Sequence, residues 1–195
     1  MKAKKGSVAV WKVIAVVITA AIVFYKLLRM IGIDLVTDIT NIFTDKIANM
    51  FLPNTTAGRI YEAALQRLRT KFTEAQAVNL AVLMVEQSKY ETANYTSNVL
   101  RNNLNAFGYK YFKGSKYQLK ERGTISPELN SYGKYSDVAD SAREVADWIG
   151  RRKSDFVNVA EGNEQQYAAA LKKGDYFGQA ASAYAAGLYH YEIAA

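Results

Sequence analysis

The sequence contains no cysteine and a single histidine among its 195 residues. The absence of cysteine excludes disulfides, thiolate metal sites and a cysteine nucleophile. One histidine, His190, cannot form a histidine-rich metal site, and it would have to supply any Ser-His-Asp triad alone, so we expect a surface or packing role for it. The sequence has neither an internal repeat nor a phosphate-binding glycine loop, and it implies no metal or organic cofactor.

Positive charge is concentrated near the N-terminus. The net charge is +7, but residues 1–52 hold seven lysines and arginines against three acidic residues. Residues 53–195 hold eighteen against fifteen, so this part of the chain is only mildly basic. This balance argues against a nucleic-acid partner, although it suits attraction to anionic cell-wall polymers or membranes. Half of the residues are hydrophobic, which is enough for a well-formed core.

An apolar segment covers residues 8–28 and is interrupted by two lysines and one threonine. The two lysines lie near its ends, where their charges can reach lipid headgroups, and Trp11 and Tyr25 occupy positions typical of interfacial aromatics. The segment therefore predicts a transmembrane anchor over residues 1–30. A cleaved signal peptide is the alternative, but a Lys-Leu-Leu-Arg stretch follows where a small-residue cleavage site would be needed.

The residues around the apolar segment predict its orientation. Lysines precede it, and Asp34 and Asp38 follow it. By the positive-inside tendency, the C-terminal domain would lie on the periplasmic or cell-wall side, or the protein would sit in the membrane of a phage particle. Residues 31–52 carry apolar side chains at helical spacing, so we expect an amphipathic helix that lies on the membrane, packs on the domain or self-associates. Pro53 ends it, which makes residues 31–56 a helix and linker.

The domain over residues 57–195 contains a long predicted helix that ends at a carboxylate. Thr73 and Gln76 form a capping-box pattern at its start. At about 100° per residue, Glu91 falls on the same side of the helix as Leu80, Met84 and Ser88, the side that we expect to be buried. Glu86 falls on the other side, so we expect it to face water.

The position of Glu91 favours acid chemistry. Burial at the end of an apolar helix raises a carboxyl pKa, and the negative end of the helix dipole acts in the same direction. A glutamic acid that stays protonated near neutral pH can protonate a glycosidic oxygen. The alternative from spacing alone is that Glu91 simply ends a helix in solvent.

The remaining pattern is mostly helical. Thr55 or Thr56 caps a first helix, and Ser136 is the expected N-cap of a helix that closes at Gly150. Two more helices are expected over residues 164–173 and 179–191, separated by a C-cap at Gly174. Between residues 109 and 135, turn signals and alternating apolar residues predict one short β-hairpin. The basic triplet 151–153 reads as a solvent-exposed cluster at a helix end.

Two motifs in this domain resemble the glucosaminidase domain of the lysozyme-like superfamily. Glu91-Thr-Ala-Asn-Tyr-Thr-Ser97 is similar to that family's Glu-(Ser/Thr)-Gly-x-(Phe/Trp/Gly)-x-Ser signature, which carries the catalytic acid. Residues 102–110 are similar to its Asn-Asn-Leu-Phe-Gly-(Met/Ile)-Lys signature. Ala93 replaces the usual glycine, and Asn105 and Ala106 are two extra residues in the second motif. Segments 132–149 and 167–177 resemble the family's later motifs, in the family's order.

The resemblance implies a mainly α (α+β) fold, a lysozyme-like helical domain with a small β-hairpin, here preceded by the predicted membrane-anchor helix. It implies that Glu91 is the catalytic acid and that a second carboxylate can lie in the hairpin region, where Glu128 is the first candidate and Glu121 the second. Tyrosines can stack on sugar rings while their hydroxyls form hydrogen bonds. The predicted substrate-binding residues are Asn103, Phe107, Tyr109, Tyr167 and Tyr176.

The predicted function is hydrolysis of the peptidoglycan glycan strand, as an endo-N-acetylglucosaminidase that uses one glutamate as general acid. A lytic transglycosylase or a muramidase of the same fold is the alternative within this chemistry. A different class is a non-catalytic envelope or virion component that grips glycan without cutting it. The expected partners are the glycan strand and, through residues 8–28, a membrane.

Overall fold

The computed structural model describes residues 54–125, 129, 131–160 and 162–189. Over these residues the chain is mainly helical, as predicted. Its helices, in chain order, are α1 (Thr56–Leu68), α2 (Glu74–Glu91), α3 (Asn98–Asn103), α4 (Val138–Arg151), α5 (Lys153–Phe156), α6 (Glu164–Lys173) and α7 (Ala181–Tyr189).

Local capping explains where the first two helices begin. The Thr55 hydroxyl accepts a hydrogen bond from the Gly58 amide at 3.0 Å and starts α1. Thr73 and Gln76 form the predicted capping box at the start of α2, each side chain accepting from the backbone N–H of the other. These contacts satisfy amide groups that have no partner within the helix.

The N-cap of α4 differs from the prediction. Asp137 caps this helix, with its carboxylate accepting from the Ala139 amide at 2.7 Å. Ser136, the predicted cap, instead donates its hydroxyl to Asp140 at 2.9 Å. Both residue types cap helices well, so the sequence pattern alone did not separate two adjacent candidates.

Helix α2 is the central element of the fold. It packs against α1 and α7, and α1 also packs against α4. Asn79, which is itself buried, donates to the carbonyls of Val159 and Ala160 at 3.1 Å each and so fixes the segment between α5 and α6. Burial extends almost all round α2 from Ala77 to Ser88. A helix that is buried on nearly all sides is an interior helix rather than an amphipathic surface helix.

In place of the predicted β-hairpin, the structure has an irregular lobe made of residues 108–125 and 131–135. Among the described residues, isolated antiparallel bridges join Lys110 to Tyr132, Gln118 to Tyr135 and Ile125 to Ser131. Side chains hold much of the lobe together, since the Gln118 amide accepts from the Phe112 amide at 2.8 Å and donates to the Lys110 carbonyl at 3.1 Å. These side-chain contacts add to the backbone hydrogen bonds that join the segments of the lobe, such as those from the Tyr111 amide to the Ser131 carbonyl and from the Gly133 amide to the Tyr109 carbonyl.

The described residues contain no helix that is both long and apolar enough to cross a membrane. This finding goes against the predicted membrane localisation. The predicted anchor over residues 1–30 and the amphipathic helix over 31–52, with its proposed self-association, lie outside the described residues. His190 and Glu128 also lie outside them.

Candidate active site

Glu91 is the last residue of α2, and the chain reverses directly after it. Ala93, Asn94 and Tyr95 all have positive φ angles, of 47°, 55° and 65°. The Thr92 hydroxyl holds this turn, since it donates to the Ser88 carbonyl at 2.5 Å and accepts from the Tyr95 amide at 3.0 Å. The left-handed conformation explains why a glycine would suit position 93, although the structure accommodates alanine there.

The carboxyl of Glu91 is held between α7 and the loop that follows α3. The Tyr184 hydroxyl donates to Oε1 at 2.5 Å. On the other side, a methyl group built on Gly108 would lie 3.3 Å from Oε2. Gly108 has a φ of +60°, so a side chain here would be both strained and crowded. The absence of a side chain at Gly108 leaves space beside one carboxyl oxygen.

This environment keeps Glu91 protonated to an unusually high pH. Burial of the carboxyl raises the pKa of Glu91 to about 7, although the hydrogen bond from Tyr184 and the charge of Lys110 both act to lower it. The residue still keeps partial solvent exposure. A carboxylic acid with these properties can exchange protons with a ligand near neutral pH.

Tyr184 is itself fixed by aromatic contacts. Its ring stacks on Phe177 with centroids 3.9 Å apart, and it meets Tyr90 edge to face at 5.1 Å. Gly187 permits the close packing of α7 on α2, because a methyl group there would lie 2.3 Å from the Tyr90 ring. Burial and the nearby charge of Glu91 raise the pKa of Tyr184 well above its usual value, so its hydroxyl stays a donor.

Asn105 organises the loop that brings Gly108 to Glu91. Its side-chain amide donates to the carbonyls of Tyr109 and Gly133 at 2.8 and 3.0 Å. Its carbonyl oxygen accepts from the amides of Phe107 and Tyr109 at 3.2 and 3.1 Å. The side chain is fully buried. Asn105 was one of two extra residues in the motif comparison, and the structure gives it a central role in the loop geometry.

The lobe contributes a cation and an aromatic ring to the same region. Lys110 lies 4.2 Å from the centroid of the Tyr132 ring, and its charge lowers the pKa of Glu91. The Tyr132 ring is also 4.0 Å from a methyl group built on Gly108. Glu91, Gly108, Lys110 and Tyr132 therefore belong to one site.

The structure separates the predicted substrate-binding residues into two groups. Tyr109 and Tyr176 are partly exposed, with their ring centroids 6.1 Å apart, and the Tyr176 hydroxyl donates to the Phe107 carbonyl at 2.9 Å. Asn103, Phe107 and Tyr167 are buried, with exposed fractions of 2%, 1% and 0%. Their contact with substrate stays a prediction, and in this structure their side chains lie beneath the surface of the site rather than on it.

The buried residues position their neighbours. The Asn103 amide donates to the Thr124 hydroxyl at 2.7 Å, which ties α3 to the lobe. The Tyr167 hydroxyl donates to Gln87 at 2.7 Å inside the core. Asn103 and Tyr167 therefore support the residues around the site through buried hydrogen bonds.

Of the other carboxylates considered from the sequence, the structure describes Glu121 and Glu86. Glu121 is exposed and forms an ion pair with Lys134 at 2.6 Å, so nothing in the structure supports a catalytic position for it. Glu128 is outside the described residues, and its role stays a prediction. Glu86 does not face water as expected, since it is only 3% exposed. Both sides of α2 are covered by other helices, which a periodicity argument for one buried face does not anticipate.

Two important residues were missed from the sequence. Tyr184 lies within the helix predicted over residues 179–191, and its partner is 93 positions away in the chain. The sequence did contain an indication of the role of Asn105. It is an asparagine in a loop shortly before a glycine, and asparagine side chains in loops commonly form hydrogen bonds with nearby backbone groups. Within the described part of the chain, no group of three or more histidine or acidic side chains could hold a metal ion.

No protein-family model matches this chain, and no curated protein matches it. Comparison with solved structures found the structure of a type VI secretion system effector-immunity complex from Pseudomonas protegens. The match has 17% sequence identity and a TM-score of 0.42, and it covers 66% of this chain and 91% of that chain. A similarity at this level supports no conclusion on function, and the resemblance to glucosaminidases stays a resemblance.

Proposed function

We propose that this protein is a glycosidase that cuts the glycan strand of peptidoglycan, with Glu91 as the general acid. The observation that carries the proposal is the environment of Glu91, where burial raises the pKa of a partly exposed carboxyl to about 7. A general acid works best when its pKa lies near the working pH, because it must both hold and release its proton. Acid catalysis of this kind contributes about 10²- to 10⁴-fold to a rate.

The two oxygens of Glu91 have different surroundings and would have different tasks. Tyr184 holds Oε1 and fixes the plane of the carboxyl group. Oε2 lies beside Gly108, where there is no side chain. We therefore assign Oε2 as the oxygen that delivers the proton to the departing glycosidic oxygen. Cleavage then leaves an oxocarbenium-like sugar, which water or the substrate's own acetamido group would capture.

Aromatic side chains near Glu91 suit a sugar polymer. Tyr109, Tyr132 and Tyr176 are partly exposed and lie in or next to the site. Their flat faces can cover the apolar faces of sugar rings, while the hydroxyls of Tyr109 and Tyr132 can reach sugar hydroxyls. The resemblance of residues 91–97 and 102–110 to glucosaminidase motifs narrows the proposed substrate to peptidoglycan and the proposed bond to that following N-acetylglucosamine.

The test compares Glu91→Gln with Glu74→Gln, the same change at the exposed opposite end of α2. Purified proteins are incubated with cell-wall sacculi, and the released glycan fragments are identified by mass spectrometry. We expect Glu91→Gln to lose at least about 100-fold in rate, because glutamine cannot donate an acidic proton, and Glu74→Gln to retain activity.

Three outcomes would change the conclusion. Equal activity of wild type and Glu91→Gln, or no activity of either, would reject the enzyme and favour a protein that grips glycan without cutting it. Anhydro-muramyl ends in the products would replace hydrolysis by lytic transglycosylation with the same acid. New reducing ends on N-acetylmuramic acid would assign a muramidase instead.

A further inference from the structure

A pocket of about 560 Å³ lies next to the Glu91 site, between the lobe and the C-terminal end of α4. This volume is in the range of ordinary ligand-binding pockets. Six of its lining residues carry the inference: Tyr109, Lys116, Tyr117, Trp148, Arg151 and Arg152. The pocket thus combines flat aromatic walls with cationic groups.

The acidic side chains of the pocket already have partners. Asp147 accepts from Arg67 at 2.8 Å, from Lys116 at 2.9 Å and from the Tyr117 hydroxyl at 2.8 Å. Glu144 is buried and accepts from the Tyr135 hydroxyl at 2.5 Å and from Gln118 at 2.8 Å. These two carboxylates are therefore committed to the structure of the lobe and α4.

Arg151 and Arg152 differ, because neither has a carboxylate within ion-pair distance among the residues that the structure describes. Arg152 lies over the Trp148 ring, 4.2 Å from its centroid. Gly174 allows this arrangement, since a methyl group there would come within 2.6 Å of the Trp148 ring and 2.9 Å of Arg152. A stacked guanidinium keeps its planar N–H edge available for an anion.

The pocket shares a wall with the catalytic region. The Tyr176 ring lies 6.1 Å from that of Tyr109 and 5.3 Å from that of Trp148, and both of these residues line the pocket. The Tyr176 hydroxyl donates to the Phe107 carbonyl, directly before Gly108, which faces Glu91. Burial raises the pKa of Tyr109, while the charges of Arg151 and Arg152 act to lower it. Both arginines are therefore close enough to Tyr109 for their charges to act on its hydroxyl.

We propose that this pocket binds a carboxylate of the peptide stems attached to the glycan strand, an inference that rests on the function proposed above. In a strand that bears its peptides, the sugar rings carry hydroxyl and acetamido groups, which do not need two guanidinium groups that lack an ion-pair partner among the described residues. Peptide stems carry free carboxylates, which guanidinium groups bind with paired hydrogen bonds. The aromatic walls would cover the apolar parts of the short peptide. The protein would thus bind glycan that bears its peptides.

The experiment measures binding by calorimetry, so that it does not depend on cleavage. The probes are a soluble muramyl tetrapeptide and the same compound with its carboxylates amidated. The variant Arg151→Gln/Arg152→Gln is compared with Arg59→Gln/Arg101→Gln, which removes two charges at exposed positions outside the pocket. We expect the pocket variant to bind the tetrapeptide at least about 10-fold more weakly than wild type, and the control variant to bind it within about twofold. The amidated compound should bind wild type as weakly as the tetrapeptide binds the pocket variant.

The single variant Arg151→Gln guards against a folding defect, because it leaves Arg152 and its contact with Trp148 in place. Its thermal unfolding should match that of wild type while its affinity for the tetrapeptide falls. Unchanged affinity in both pocket variants would overturn the proposal. Displacement of the tetrapeptide by inorganic phosphate at a similar concentration would also overturn it, since the arginines would then bind any anion.

The two proposals fail in different ways. If wild type cuts sacculi but binds tetrapeptide no better than the pocket variant does, the pocket assignment is wrong and the glycosidase stands. If no glycan is cut but the pocket variant loses tetrapeptide binding, the glycosidase is wrong and the pocket is a peptide site. Glu91→Gln should bind the tetrapeptide as wild type does, because the acid is not part of the pocket.

Discussion

Burial of Glu91 should make the stability of this protein depend on pH. Its pKa is raised from 4.5 to about 7 in the folded protein, so between these values the folded state holds a proton that the unfolded state has released. The free energy of unfolding therefore falls as pH rises through this window, by about 1.4 kcal/mol per unit and by about 3–4 kcal/mol at most. Below pH 4.5 this penalty is absent, and above about pH 7 it is complete.

Glu91→Gln tests this linkage, because glutamine does not titrate. Urea unfolding of both proteins from pH 4 to pH 8 should show the variant gaining stability relative to wild type as pH rises. Glu74→Gln is the matched control. The hydrogen bond from Arg69 lowers the pKa of Glu74, so the contribution of this carboxylate is complete above pH 4.5, and the difference between this variant and wild type should stay flat from about pH 5 to pH 8. A flat difference for Glu91→Gln would mean that the carboxyl is not desolvated.

Tyr184 lowers the pKa of Glu91 and should set the alkaline limit of the proposed glycan cleavage. Its hydrogen bond stabilises the ionised form of Glu91 and so lowers the pKa of that carboxyl. Tyr184→Phe should raise this pKa and move the descending limb of the kcat/KM profile for glycan cleavage to higher pH. Phe177→Leu changes the packing of the same ring without removing the hydroxyl. If it shifts the limb as much as Tyr184→Phe, the hydrogen bond is not the cause.

At the scale of an element, the loop from Leu104 to Tyr109 determines which group approaches Glu91. Leu104 ends α3 with a φ of 51°, and Asn105 then holds the backbone so that Gly108 faces the carboxyl. Gly108→Ala should lower the free energy of unfolding by about 1–2 kcal/mol, because alanine resists a positive φ. It should also reduce cleavage, since the methyl group would lie 3.3 Å from Oε2 of Glu91.

Gly162→Ala separates these two effects. Gly162 has nearly the same φ of +59°, but no atom lies within 4 Å of a methyl group built there. Chemical denaturation should show a similar loss of stability in both variants, while only Gly108→Ala loses activity on sacculi. A comparable loss of activity in Gly162→Ala would show that backbone strain, not crowding of the carboxyl, limits the reaction.

At the scale of the whole molecule, Asp147 joins three parts of the described chain. It lies on α4 and binds Arg67 of α1 together with Lys116 and Tyr117 of the lobe. Burial would raise the pKa of this carboxyl, but the hydrogen bonds from its three partners outweigh burial and lower it. Its stabilising contribution is therefore present above its usual pKa of 3.8 and is lost as pH falls.

Asp147→Asn should destabilise the protein by about 1–3 kcal/mol and loosen the lobe in particular. Hydrogen exchange at neutral pH should show faster exchange of the backbone amides of residues 115–119, while the centre of α2 stays protected. Asp155→Asn is the control, because Asp155 pairs only with the exposed Lys173 among the described residues and should contribute less than about 1 kcal/mol. Equal exchange of the lobe in both variants would contradict the role of Asp147.

Local sequence predicted a large part of the helical framework. The capping box at Thr73 and the residues of α6, Glu164–Lys173, agree with the prediction because caps and helical periodicity depend on neighbours a few positions apart. The same reasoning placed Ser136 rather than Asp137 at the start of α4. It also placed Glu86 in water, because periodicity identifies one buried face and cannot show that a second helix covers the other.

The sequence by itself determined that Glu91 ends a long buried helix and that a motif with Gly108 follows it. Only the tertiary structure decided what surrounds the carboxyl. Tyr184 and Gly108 lie beside Glu91 from 93 and 17 positions away in the chain, and Asn105, which has no counterpart in the motif, holds the loop that carries Gly108. The pKa of Glu91 depends on desolvation and on these distant partners, so it is a property of the packed molecule that no local pattern contains.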